Sequence, residues 1–225
     1  MLTTIAIIPS TPLVVPQMAG AAELTDLRHA VFAAAAALPD RWMAVGVGPT
    51  DEVVSPSAAG TFGGFGVDVI AGLSPSADDV GDMPLAALVT AWLRTEARPT
   101  ASAEVRVFGR RHSGEDALRR GEVLRSEIDD TDEPVGVLVV ADGANTLTPS
   151  APGGYDPSSV AVQSALDDAL AAGDIDALEK TPPSITGRVA WQVLAGLARA
   201  VPPSVKELYR GAPFGVGYFV GVWQA

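Results

Sequence analysis

The run Val135-Gly136-Val137-Leu138-Val139-Val140 is followed directly by Ala141-Asp142-Gly143-Ala144-Asn145-Thr146-Leu147-Thr148-Pro149-Ser150-Ala151-Pro152-Gly153-Gly154-Tyr155-Asp156-Pro157. Six apolar residues bounded by turn formers describe a strand buried on both faces, as in a sheet covered by helices on both sides. The stretch after it then lies at the carboxyl end of that strand, where open α/β sheets hold their ligands. Asn and Asp supply side-chain turns there, and Pro and Gly fix the path. The loop has the form of a site, yet its side chains offer chemistry little beyond Asp142 and Tyr155.

Working outward, similar apolar runs recur at 4–8, 42–47, 67–70, 105–108 and 218–223. Most are separated by segments of helical periodicity, and this alternation predicts an α/β fold. Leu24, Leu27, Val31, Phe32 and Ala35 share one helical face. So do Val162, Ala165, Leu166, Ala169 and Leu170, and a third stripe is Val189, Val193, Leu194 and Leu197. Such stripes are packing surfaces that cover a sheet. The expectation is one domain over residues 1–225: a mixed or mostly parallel sheet flanked by helices. Residues 73–83 and 126–133 read as solvated loops, the second acidic and able to dock a basic partner. The apolar closing segment 215–223 fits the core better than an exposed sheet edge.

The formal net charge of -12 repels phosphate backbones and anionic lipid surfaces, which argues against nucleic-acid and membrane partners. The chain has no cysteine, so thiolate nucleophiles and thiolate metal sites are excluded. No stretch approaches the length of a membrane span, and the apolar start, which lacks a basic leader, reads as a first strand; the expected location is cytoplasmic. The glycine-rich segment 60–66 has neither P-loop nor dinucleotide-binding spacing, and reads as a tight turn. His29 and His112, with Arg28, Arg110, Arg111 and Glu115 as neighbours, read as surface residues, and the pair Asp167-Asp168 as a solvated helix face.

The residues 147–157, followed by a helix and Ala171-Ala172-Gly173-Asp174, resemble the Ser-His-Arg-Leu-Thr-Pro-x-Ala-Pro-x-Gly-Tyr-Asp-Pro segment of class III extradiol ring-cleavage dioxygenases, the LigB-like and Memo-like proteins. The opening Ile8-Pro9-Ser10-Thr11-Pro12-Leu13-Val14-Val15-Pro16 is similar to that family's Pro-His-Pro-Pro-Leu-Leu-Val-Pro start, and Gly211-Ala212-Pro213-Phe214-Gly215-Val216-Gly217-Tyr218 to its closing segment. The resemblance implies the LigB-like fold, and a ferrous ion held by two histidines and a glutamate beside a further acid–base histidine. Carried over by position, the two histidine ligands fall on Ser10 and Thr50, the acid–base histidine on Asn145, and the glutamate near Ile185. Neutral oxygen donors and an aliphatic replace imidazole and carboxylate poorly toward ferrous iron, so the expectation is a divergent member that has lost the metal and needs no cofactor.

The leading functional expectation is a non-catalytic domain that binds a small molecule or a protein through a vestigial pocket of Ser10, Thr11, Thr50, Asp51, Asp142, Asn145, Tyr155 and Ile185. The alternative is a repurposed enzyme, an oxidoreductase or hydrolase, in which Asp142, Asp51 or Tyr155 works with an oxygen-ligated metal or none. A third expectation is an assembly role as a homo-oligomer. An acidic chain disfavours carboxylated and phosphorylated ligands, but a local basic group such as Arg188 reverses that within a pocket. An open pocket favours a binder, and a collapsed one a structural role.

Overall fold

The run 135–140 is a strand in which every residue is buried. The computed structural model describes residues 1–18 and 22–225. Its strands are β1 (Leu2–Ile8), β2 (Arg41–Gly48), β3 (Glu52–Val54), β4 (Ala58–Thr61), β5 (Ile70–Gly72), β6 (Asp79–Val80), β7 (Ser102–Gly109), β8 (Val135–Val140), β9 (Ser204–Gly211) and β10 (Tyr218–Gln224). The helices are α1 (Thr25–Ala36), α2 (Leu85–Ala97), α3 (Gly114–Asp129), α4 (Ser158–Ala172), α5 (Ile175–Glu179) and α6 (Arg188–Ala198).

The main sheet has the order β3-β7-β2-β8-β1-β10-β9. Its centre is parallel: β8 pairs with β1 through Val137↔Ile5 and Leu138↔Ala6, and with β2 through Leu138↔Ala44. β7 continues the parallel set beside β2, while β3, β10 and β9 pair antiparallel to their neighbours. The expected mixed sheet is therefore present, with the first and last strands side by side in one α/β domain.

Alternate residues of a strand face opposite sides, and β1 shows the division. Ala6 and Ile8 pack with Leu27 and Val31 of α1 and Ala87 and Trp92 of α2, whereas Ile5 and Ile7 pack with Leu124 of α3, Leu170 of α4 and Val193 of α6. Helices thus cover both faces. The connection after β1 leaves on the α1 face, and the one after β8 leaves toward α4 on the other. Neighbouring parallel strands whose connections diverge open a crevice at their carboxyl ends.

Several expected boundaries move. The run 67–70 is not a strand: Gly66 turns the chain at φ 86, and pairing to β4 starts at Ile70. Residues 126–129 belong to α3, whose start is fixed by the Ser113 side chain accepting from the Asp116 amide. The segment 73–83 contributes β6 to a small sheet of order β5-β4-β6. Within the 60–66 segment, residues 60 and 61 end β4 and Phe62–Phe65 form a short 3-10 turn, as expected of a tight turn. On α4 the inward face carries Gln163 and Asp167 beside Leu166 and Leu170, while Ala165 is exposed. Among the described residues no helix is long and apolar enough to cross a membrane.

Candidate functional site

A cavity of about 440 Å3 opens at the carboxyl ends of the parallel strands. Ser10 after β1, Val47 of β2, Arg110 after β7 and Val140 to Asp142 at the end of β8 line it, and the turn from Pro183 to Val189 that starts α6 closes it. Its place follows from the diverging connections described above. The pocket is open, not collapsed.

Asp142 is stitched into this wall from both its side chain and its backbone. One carboxylate oxygen, Oδ1, accepts the Ser10 amide at 2.8 Å. Its carbonyl accepts the Gly187 amide at 2.9 Å and the Trp191 indole N–H at 3.3 Å, which hold the start of α6 against the end of β8. Burial pushes the Asp142 carboxyl up to about 7, against the opposing pull of the Ser10 N–H. It therefore exchanges its proton near neutrality. Tyr218 is its buried neighbour on β10: burial pushes the phenol up to about 12, a Thr11 hydrogen bond opposes this, and the Asp142 charge adds to it.

The cations of the cavity lie along one rim. Arg188 donates to Gln192 Oε1 at 2.8 Å and to the His112 carbonyl at 2.8 Å, and comes within 3.5 Å of the Arg110 carbonyl. All these acceptors are neutral. Arg110 is exposed.

Of the residues expected to form the site, Ser10, Asp142 and Ile185 line one cavity. Ile185 is buried and contributes only an apolar wall. The others are not part of that lining, each for a local reason. Thr11 is buried as the cap of a 3-10 turn, its side chain accepting from the Leu13 amide. Thr50 is exposed in the loop after β2. Asn145 folds the loop on itself, its carbonyl accepting the Gly153 amide at 2.9 Å. Tyr155 points outward, 53% exposed.

Asp51 is committed elsewhere. It accepts the Gly109 amide at 2.8 Å, lies 2.6 Å from His112 Nε2 and pairs with Arg120 at 2.8 Å. Burial works to raise its pKa, but the Gly109 N–H, His112 and Arg120 together hold it below the ordinary carboxylate value. His112 is thus no solvated surface residue: its side chain is only 19% exposed, and it stands at the carboxyl end of β7, on the same edge of the sheet as the cavity. His29 is exposed, as expected.

Two supporting residues escaped sequence reasoning. Gln163 Oε1 accepts the Ala144 amide at 2.8 Å and its Nε2 donates to Asp167 Oδ1 at 2.8 Å, which pins the loop after Asp142 to α4. Asp167 is buried, not solvated, and burial pushes its carboxyl up to about 6. The four-residue spacing of Gln163 and Asp167 on one helix face was the available signal.

The donor set does not fit a ferrous ion. Asp142 is the only carboxylate of the cavity lining, Ser10 supplies a neutral hydroxyl, and Ile185 supplies nothing. Among the described residues no three His, Asp or Glu side chains are grouped so as to hold a metal.

No family model and no curated protein matches this chain. Its fold is similar to the crystal structure of an uncharacterized protein, JW3007, from Escherichia coli K12, with a TM-score of 0.58. The match is 9% identical and covers 98% of this chain and 99% of that one. At this identity the likeness shows a common architecture and nothing of the chemistry.

Proposed function

We propose that this chain is a non-catalytic small-molecule-binding domain, built on a scaffold resembling the class III extradiol dioxygenases and divergent from them in its chemistry. The observation that carries the reading is the open cavity at the sheet's switch point, lined by hydrogen-bonding and charged groups over apolar walls. Its volume is within the range of pockets that enclose small ligands. The ring-cleavage route demands an iron centre, for which the side chains at the corresponding positions are unsuited. The test is anaerobic loading with ferrous ion, followed by iron determination and exposure to catechol and oxygen. The expected result is substoichiometric iron and no ring-opened product. Stoichiometric iron with cleavage overturns the proposal.

A second reading, acid–base catalysis by Asp142, is favoured by that carboxyl's value of about 7, which suits proton transfer at neutral pH. It needs a reacting partner. The Asp142 carboxylate accepts only the Ser10 amide, not a hydroxyl nucleophile. Turnover of any bound compound, lost in Asp142→Asn with binding retained, would select this reading over the first.

A further inference from the structure

We infer that the cavity takes a small molecule bearing a carboxylate on an apolar body, with the carboxylate held by Arg110 and Arg188. This rests on the reading of the cavity as a binding site and names its ligand class. Among the described residues eight arginines pair with a carboxylate, as befits a chain with 27 acidic and 15 basic side chains. The two that line the cavity do not. Arg188 is oriented by Gln192 and the His112 carbonyl, which fix its position and leave its charge unbalanced. Among the described residues Arg110 makes no side-chain hydrogen bond or ion pair, and the contact of Arg188 with its carbonyl keeps the two residues on one rim. Two arginines that line one cavity, neither paired with an acid among the described residues, offer their charge to a ligand anion, and a carboxylate accepts from guanidinium N–H groups.

The rest of the lining sets the other end of the ligand. Val47, Leu85, Val140, Ile185 and Val189 give apolar walls. Asp142 limits the ligand's charge: ionised, it repels a second negative group on the ligand. Its Oδ1 already accepts the Ser10 amide, so Oδ2 bears the proton. The groups facing Asp142 are Ser10 from the β1 loop and Tyr218 of β10, while the two arginines line the same cavity. A ligand carboxylate adds negative charge to the cavity that Asp142 lines, which strengthens its hold on a proton.

The test is isothermal titration calorimetry of the full chain with hexanoate and benzoate, against hexanamide, benzamide and inorganic phosphate. The acids are expected to bind, with the amides and phosphate at least about tenfold weaker, the scale of a charge-assisted pair. Arg110→Gln is expected to weaken the acids by about tenfold and leave the amides unchanged. Because Arg110 is exposed, this variant is expected to keep the wild-type urea midpoint, which separates lost binding from lost folding. At pH 8 acid binding takes up a proton, read as a difference in heat between two buffers, and Asp142→Asn abolishes the uptake. Equal affinity for acid and amide, an unchanged Arg110→Gln, tighter phosphate, or uptake that persists in Asp142→Asn overturns the inference. If the amides bind and the acids do not, the binding-domain proposal stands and this inference falls. If no probe binds, both fall.

Discussion

Replacing Asp142 by Asn is expected to make this protein more stable at pH 8, although it removes a charged group that accepts a hydrogen bond. The carboxyl moves from 3.8 in the unfolded chain to about 7 in the folded one. A raised folded pKa means that the native state holds the proton more tightly. The associated stability is complete below the unfolded value, declines as pH rises from about 4, and is gone above about 7. At about 1.36 kcal/mol per unit, the full shift corresponds to about 4 kcal/mol. Asp142 borders a cavity that water enters, and screening there reduces the effect to ~2 kcal/mol. Asn keeps an oxygen for the Ser10 amide and stays neutral at every pH. Urea unfolding of both proteins is therefore expected to give similar stabilities near pH 4 and a gap of ~2 kcal/mol in favour of Asn at pH 8. A gap that does not change with pH, or one that favours Asp at pH 8, refutes the argument that burial governs this carboxyl.

Other expectations test the frame around the cavity. Gln163→Leu strips partners from the Ala144 amide and from Asp167; it is expected to cost ~3 kcal/mol in urea unfolding and to speed hydrogen exchange at Ala144. Trp191→Phe keeps an aromatic ring but loses the bond to the Asp142 carbonyl and part of the buried indole, a combined loss of ~2 kcal/mol in thermal unfolding. Arg120→Gln breaks an exposed pair with Asp51 and is expected to change stability by less than ~1 kcal/mol, because solvent screens it. A larger loss there would mark the Asp51 cluster as a structural anchor.

How far these features were legible in the sequence depends on what each residue packs against. The parallel centre of the sheet was readable because strands buried on both faces must be continuously apolar, as at 135–140. α2 was not, for a related reason: residues 86–94 are all buried, so the helix shows no stripe of contrasting polarity from which a period can be read. β9 was missed for the opposite cause. It is an edge strand, and Lys206, Glu207 and Arg210 interrupt its apolar residues. At the site, local reading singled out Asp142 and the family resemblance Ser10, and the two sit at the ends of adjacent strands. It did not anticipate that Asp51 would turn to Gly109, His112 and Arg120, since that cluster joins residues about sixty positions apart through the β2–β7 pairing.

The backbone contacts around the 147–157 loop explain how its turn residues are held independently of any reactive side chain. The segments that carry the resemblance, 147–157 and 211–218, pack on one another as a single corner of the fold. The Leu147 amide bonds the Gly215 carbonyl at 3.1 Å, the Gly217 amide bonds the Ala144 carbonyl at 2.8 Å, and the Gly143 amide returns to the Gly217 carbonyl at 2.8 Å. Gly215 lies at φ 77, and a side-chain carbon there would meet the Ala151 methyl at 2.5 Å; one at Gly217 would collide with Gln163. These positions are constrained by backbone geometry, whatever reaction the neighbouring side chains perform. Their constraint also fixes where β8 ends and therefore where Asp142 stands. The side chains of Ser10, Asn145 and Ile185 supply none of the hydrogen bonds that close this corner, so substitutions there leave it intact. Scaffold and chemistry are separable here: the corner fixes the end of β8 and, with it, one wall of the cavity that Arg110, Asp142 and Arg188 line.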